Sequence, residues 1–171
     1  MPTPRLTFCS VTNFLCVGEE FLFIHRGAHT KVDAGRLNGI GGKLEAGENY
    51  LDAVIRETFE ETGYVITPEQ ITFAGLGRIE GGYQQDWVVG FFRIDVDSKQ
   101  IPQGTTNVEG ELLWLHKDDA LNTGFEMVDD LKVIFPILAN HQPPFFFDAV
   151  MTPDEKIDHI ALQQLTFPTH P

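Results

Sequence analysis

Glu57, Glu60 and Glu61 stand at i, i+3 and i+4 in a stretch whose apolar residues recur with a helical period. On a helix these positions are neighbours, so the three carboxylates share one side. Their mutual repulsion costs about 0.2–0.5 kcal/mol per adjacent pair. By itself such a stripe is a solvated surface. The segment before it changes that reading: Gly39-Ile40-Gly41-Gly42-Lys43-Leu44-Glu45-Ala46-Gly47-Glu48 contains four glycines. Glycine lets main-chain amides and carbonyls approach a ligand closely. Magnesium takes an oxygen shell from a few carboxylates, phosphates and water. Carboxylates beside an exposed glycine loop therefore form a seat for metal-bound pyrophosphate.

The elements that must hold these groups follow from patterning. Residues 49–62 are expected to be helical, ending at Gly63 in the position of a C-cap glycine. A helical wheel turns Leu51, Val54, Ile55, Thr58, Phe59 and Thr62 toward the core, with Ala53 and Glu57 on the opposite side. Residues 6–17 and 21–25, split by Gly18-Glu19-Glu20, read as a β-hairpin. The Gly-containing stretch 27–38 and the polar stretch 97–108 read as loops. Residues 71–80, 87–96 and 112–115 read as strands, with Gly81-Gly82 as a turn. Residues 129–138 read as a helix with Asp129 and Asp130 at its favourable end and Pro136 bending or ending it. Residues 145–150 look extended and 151–155 look like a turn. Residues 156–165 fit either a helix capped by Thr152 and Glu155 or a strand.

With 171 residues, 42% of them hydrophobic, the chain suits a single domain spanning 1–171. Its formal net charge of −13 repels bare polyanions and argues against a nucleic-acid partner. A small phosphate ligand remains compatible, because divalent cations bridge acidic side chains to phosphate oxygens. Cys9 and Cys16 are expected to be buried free thiols of a reducing cytoplasm, a Cys9–Cys16 disulfide being the alternative. Segment 6–17 is interrupted by Ser10, Thr12 and Asn13 and lacks a signal-peptide cleavage site, and no apolar run reaches the ~20 residues of a membrane span. A soluble, cytoplasmic protein without a membrane partner is expected; the oligomeric state is left open.

Gly42-x5-Glu48-x7-Arg56-Glu57-Thr58-Phe59-Glu60-Glu61-Thr62-Gly63-Tyr64 resembles the Nudix box, G-x5-E-x7-R-E-U-x-E-E-x-G-U, where U is a bulky aliphatic or aromatic residue. Every Gly, Arg and Glu of the pattern is present. Thr58 and Tyr64 are imperfect U residues. The resemblance implies an α/β fold, the Nudix α/β/α sandwich with a mixed sheet between helices. It implies that Glu57, Glu60 and Glu61, joined by the Gly41 carbonyl, ligate Mg2+, with Mn2+ as an alternative. Arg56 would orient the carboxylates, and Glu48 would orient Arg56 or help cap the helix. A further ligand or base is expected from a downstream loop, where Glu109 and Glu111 are the candidates and Glu109 is favoured as base. Arg26 and Lys43 match basic positions that contact phosphate in related enzymes.

Gly35-Arg36-Leu37-Asn38-Gly39-Ile40-Gly41-Gly42-Lys43 is similar to G-R-W-N-G-F-G-G-K of the MutT-like branch, which hydrolyses oxidised purine nucleoside triphosphates. Met127-Val128-Asp129-Asp130 followed by Phe135-Pro136 is similar to that branch's W-P-D-D-x-x-x-F-P. The similarity extends weakly through residues 145–165, where it favours a terminal hairpin. It implies that Asn38 and Asp129 or Asp130 read a purine edge, an Asp donating only when protonated. Leu37 and Val128 replace aromatic residues, and the Asp-to-Phe spacing is one residue longer. The implied activity is Mg-dependent pyrophosphohydrolysis of a small nucleotide such as 8-oxo-dGTP, releasing a monophosphate and pyrophosphate. Hydrolysis of ADP-ribose or another nucleoside diphosphate derivative, and a non-catalytic nucleotide sensor, are the alternatives.

Overall fold

The computed structural model describes residues 5–82 and 84–166. β1 (Thr7–Val17) and β2 (Glu20–Arg26) form the expected hairpin, turned by Gly18 at φ 60. Successive strand side chains point to opposite faces. Here Val11, Leu15, Leu22 and Ile24 join one apolar layer, while Phe14, Cys16, Phe21 and Phe23 join another. Burial on both faces explains why these strands read as nearly continuous apolar runs.

β3 (Leu37–Asn38) lies beside β2, β4 (Ile71–Gly81) and β5 (Asp86–Asp95) form a second hairpin, and β6 (Gly110–His116) also pairs with β2. β7 (Phe145–Met151) and β8 (Ile157–Gln164) form a third hairpin. Together they make one mixed eight-stranded sheet in the order β3-β2-β1-β5-β4-β7-β8, with β6 on β2 off this path. The parallel joins, β1 with β5 and β4 with β7, need long crossovers. The first crossover carries α1 (Tyr50–Thr62) and the second α2 (Asp129–Ala139). Ala53 and Val54 of α1 pack in one apolar layer; Leu131, Ile134 and Phe135 of α2 pack in the other. The sheet is thus covered by a helix on each face, the expected α/β/α sandwich.

Asn49 caps α1 by accepting from the Asp52 N–H at 3.0 Å, and Gly63 ends it at φ 79, where a Cβ would be strained. The helix is rotated from the expected face. Ala53, Val54, Glu57, Thr58 and Thr62 are its buried residues, whereas Phe59 is 50% exposed and Leu51 39%. The reason is a polar tether: buried Asn13 of β1 donates to the Val54 carbonyl and to Thr58 Oγ1 at 3.3 and 3.2 Å. Thr58, the imperfect box residue, is therefore a hydrogen-bond partner of the sheet.

Pro136 neither ends α2 nor excludes its last turn, which continues to Ala139 because Leu138 and Ala139 are buried. Residues 157–164 form the strand and not the capped helix; Thr152 instead binds Asp154 within the turn between β7 and β8. Both cysteines are free, but Cys9 is exposed and only Cys16 is buried, which corrects the expectation of two buried thiols. Seven residues of extended strand hold them about 23 Å apart, beyond disulfide reach. Among the described residues no helix is long and apolar enough to cross a membrane.

Candidate active site

β1 and β2 pair only next to their turn, at Cys16–Phe21 and Val17–Glu20. Further along β1 the glycine loop takes the neighbouring position, with bridges Asn13–Ile40 and Ser10–Lys43. Val11 N–H donates to the Gly42 carbonyl at 2.9 Å, and Asn13 N–H to that of Ile40 at 2.6 Å. Gly41, between these contacts, has φ 149, and a Cβ there would lie 2.2 Å from the Val11 carbonyl oxygen. Only glycine lets the loop lie this close to β1. At Gly42 a Cβ would lie 2.5 Å from Glu57 Oε1, so α1 and the loop meet directly at the carboxylate.

Arg56 organises the acidic end. Its guanidinium grips both oxygens of Glu48 at 2.8 and 2.9 Å and donates to Glu57 at 2.8 Å, Glu60 at 3.1 Å and the Lys43 carbonyl at 3.0 Å. Glu48 also accepts from its neighbour Glu45 N–H, and these bonds, Arg56 first, hold its carboxyl at about 2. Across the cleft, Asn107 donates to the Glu61 carbonyl and accepts from the Glu109 and Gly110 amides. The ordered loop presents Glu109 to Arg26 at 2.7 Å.

Glu61 is pushed up to about 8, chiefly by burial, then by the charges of Glu109 and Glu57, against partial relief from Arg26 and the Gly41 amide. Burial also raises Glu57, with Arg56 opposing. Among the described residues, buried Glu61 Oε2 has no hydrogen-bond partner. The donors are oxygens throughout, which suits Mg2+ or Mn2+. Among the described residues no three acidic, His or Cys side chains close on a point at metal-ligand spacing. A carboxylate set this open fits a cation completed by main chain, water and phosphate, as Mg2+ usually is.

A cleft of about 500 Å3 runs from these carboxylates past Lys43 to Asn38, Asp33 and Asp130. A sequence profile of the NUDIX domain matches residues 8–162, spanning the glycine loop, α1 and the Glu109 loop. The chain belongs to the Nudix family.

The MutT protein of Bacillus halodurans shares the Nudix fold seen here, with a TM-score of 0.76 and 23% identity over 91% of this chain and 97% of that one. A bifunctional NMN adenylyltransferase/ADP ribose pyrophosphatase from Francisella tularensis, complexed with AMP and a Mn ion, gives a TM-score of 0.60 and 20% identity over 81% of this chain and 43% of that one. An uncharacterized Nudix hydrolase, YvcI of Bacillus subtilis (strain 168), is 34% identical over 84 residues. That match covers 48% of this chain, and the chain spans about half, 52%, of that relative's length.

Of the residues singled out in the Nudix sequence, Arg26, Asn38, Gly41, Lys43, Arg56, Glu57, Glu61, Glu109 and Asp130 line the cleft. Three do not. Glu60 has a side chain 56% exposed and held by Arg56, because the tether that turns Glu57 inward turns Glu60 out. Glu111 is exposed on β6, paired with His25, since only the turn before the strand brings Glu109 inward. Asp129 is drawn to Lys132 at 2.7 Å and the Ile157 amide at 3.2 Å, leaving Asp130 to face the cleft. Burial, then the charge of Asp33, pushes Asp130 up to about 7.

Trp87 and Asp33 also line the cleft and went unnoticed in the sequence. The Trp87 ring stands 5.7 Å from that of Phe8, and Lys43 Nζ lies 4.2 Å from the Phe8 centroid and 5.2 Å from that of Trp87. Strand alternation could have turned Trp87 to that face. Nothing in the polar run around Asp33 distinguishes it.

Proposed function

We propose that this Nudix domain is a Mg-dependent pyrophosphohydrolase of purine nucleoside triphosphates, with oxidised forms such as 8-oxo-dGTP as its substrates, acting in the cytoplasm. One observation carries this reading: base-binding types of side chain, Asn38 and Asp130, line the same cleft as Glu57, Glu61 and Glu109. A volume of about 500 Å3 is within the range of small-ligand sites.

Glu57, Glu61 and the Gly41 carbonyl would hold the cation, with Glu60 an outer carboxylate. When bound, the cation neutralises phosphate charge and acidifies a water. Glu109, steadied by Arg26, takes the water's proton as its oxygen bonds to phosphorus. The bridging P–O bond breaks in line, leaving a monophosphate and pyrophosphate. Lys43 contacts the phosphates, and Asn38 and Asp130 hold the base.

Arg56 keeps Glu57 in register with this geometry. Arg56→Lys preserves the charge but loses the fork that reaches Glu48, Glu57 and Glu60 together. The expected loss in kcat/KM is about 10–100-fold, the usual effect of disturbing a group that orients a metal ligand. Steady-state kinetics beside a thermal melt check it.

The direct test is product analysis over 8-oxo-dGTP, 2-hydroxy-dATP, the ordinary dNTPs and ADP-ribose, with and without Mg2+. Metal-dependent release of pyrophosphate and a monophosphate is expected, with Asn38→Ala changing base preference more than metal affinity. Preferential turnover of ADP-ribose would replace the triphosphatase reading.

A further inference from the structure

Asp33 occupies the loop that leads into β3, at φ 53, and is 6% exposed. A buried carboxylate in left-handed backbone has two costs, burial of charge and strain, so its retention needs a compensating contact. Asn38 provides one. Its Nδ2 donates to Asp33 Oδ2 at 3.0 Å, while its Oδ1 accepts from the Gly39 N–H at 2.8 Å. Flipping the amide would set oxygen against oxygen at Asp33 and N–H against N–H at Gly39. Asn38 is thereby held in one orientation, with one amide hydrogen and one lone pair left for a ligand.

The surroundings anchor Asp33 in turn. Arg36 NH1 lies 3.9 Å from Asp33 Oδ1, and the Arg36 N–H donates to the Asp33 carbonyl at 3.1 Å. Arg26 Nε binds the carbonyl of the preceding Val32 at 3.0 Å. Asp33, Asn38 and Asp130 all line the cleft. Two carboxyls and an amide of set polarity make this end rich in acceptors.

We propose that Asp33 is a specificity-determining positioning residue, which fixes the Asn38 amide and, with Asp130, selects a base edge presenting adjacent N–H donors. This deepens the nucleotide reading of the same cleft and rests on it. A ring N–H beside an exocyclic amino group, the guanine arrangement, satisfies such a floor. An inosine edge lacks the amino group, and an adenine edge presents an acceptor where the ring N–H would be.

The test compares wild type with Asp33→Asn, which keeps size and tolerates positive φ, and Asp33→Gly, which suits the backbone and removes the carboxyl. Turnover of GTP, ITP and ATP is measured with Mg2+, and binding of GMP, IMP and AMP by calorimetry. In wild type, guanine is expected to be preferred over hypoxanthine. In both variants the guanine preference falls about 10–100-fold, the usual effect of a hydrogen bond to a charged group, through KM with kcat little changed. Loss by one common factor for all bases, or an unchanged guanine-to-hypoxanthine ratio in folded variants, overturns the assignment. A wild type that hydrolyses neither these triphosphates nor 8-oxo-dGTP would instead defeat the catalytic reading, while monophosphate binding would still decide the role of Asp33.

Discussion

Gly42→Ala is expected to fold normally and to lose catalysis. The added methyl would stand 2.5 Å from Glu57 Oε1 and 2.9 Å from Oε2, atoms at the movable end of a side chain. The carboxylate yields, breaking its 2.8 Å bond to Arg56 and leaving the position beside the glycine loop. Displacing a reacting or ligating group by about 1 Å costs on the order of 100-fold in rate. A loss of that size in kcat/KM, with the melting temperature unchanged within a few degrees, is the expected result. Full activity in a folded Gly42→Ala protein would show that Glu57 does not act from where it stands.

The adjacent substitution separates the two roles of the loop. At Gly41 the methyl would meet the Val11 carbonyl oxygen at 2.2 Å, a backbone atom that cannot swing away, and φ is 149. Gly41→Ala is therefore expected to destabilise the fold by roughly 3 kcal/mol or more, combining a clash with backbone strain. Urea unfolding measures it.

In EDTA at pH 8, Glu61→Gln is expected to be more stable than wild type. Burial pushes the Glu61 carboxyl in the folded state up to about 8 from its ordinary 4.5. Between these values the folded state binds the extra proton, so stability declines as pH rises through the window and is lowest above about pH 8. The uncharged amide removes this slope. At pH 8 the gain is on the order of a few kcal/mol, since each pKa unit corresponds to about 1.4 kcal/mol. Asp130, raised to about 7, imposes a slope of the same sign in both proteins. Magnesium should act in the opposite direction, raising the wild-type melting temperature at pH 8, little at pH 5.5, and little in Glu61→Gln at either pH. A wild type insensitive to millimolar Mg2+ at pH 8 would remove the cation from the site.

Much of this site was legible because its determinants are local. Register along one helix makes Glu57, Glu60 and Glu61 neighbours whatever surrounds them. Asn49 and Gly63 mark the helix ends through their own backbone and side-chain bonds. Gly41 and Gly42 announce a close approach, although not what approaches. The first two hairpins follow from strand patterning and from turn residues such as Gly18 and Gly81, whereas residues 156–165 fit a helix or a strand until the fold pairs them with β7.

Periodicity states which side chains share a side, not which side is buried. α1 was expected to bury Leu51 and Phe59; the Asn13 bonds, made across 41 and 45 residues, turn Ala53 and Glu57 inward instead. The choices between Glu109 and Glu111, and between Asp129 and Asp130, likewise depend on distant groups: Asn107 and Arg26 in one case, Lys132 and the Ile157 amide in the other. Sequence by itself determined the carboxylate helix, through spacing within one short segment, and the family with its sandwich, through the resemblance of that segment to the Nudix box. Tertiary structure decided which carboxylates enter the cleft and that Asp33 joins them, because desolvation and hydrogen bonding are set by chain segments that meet only on folding.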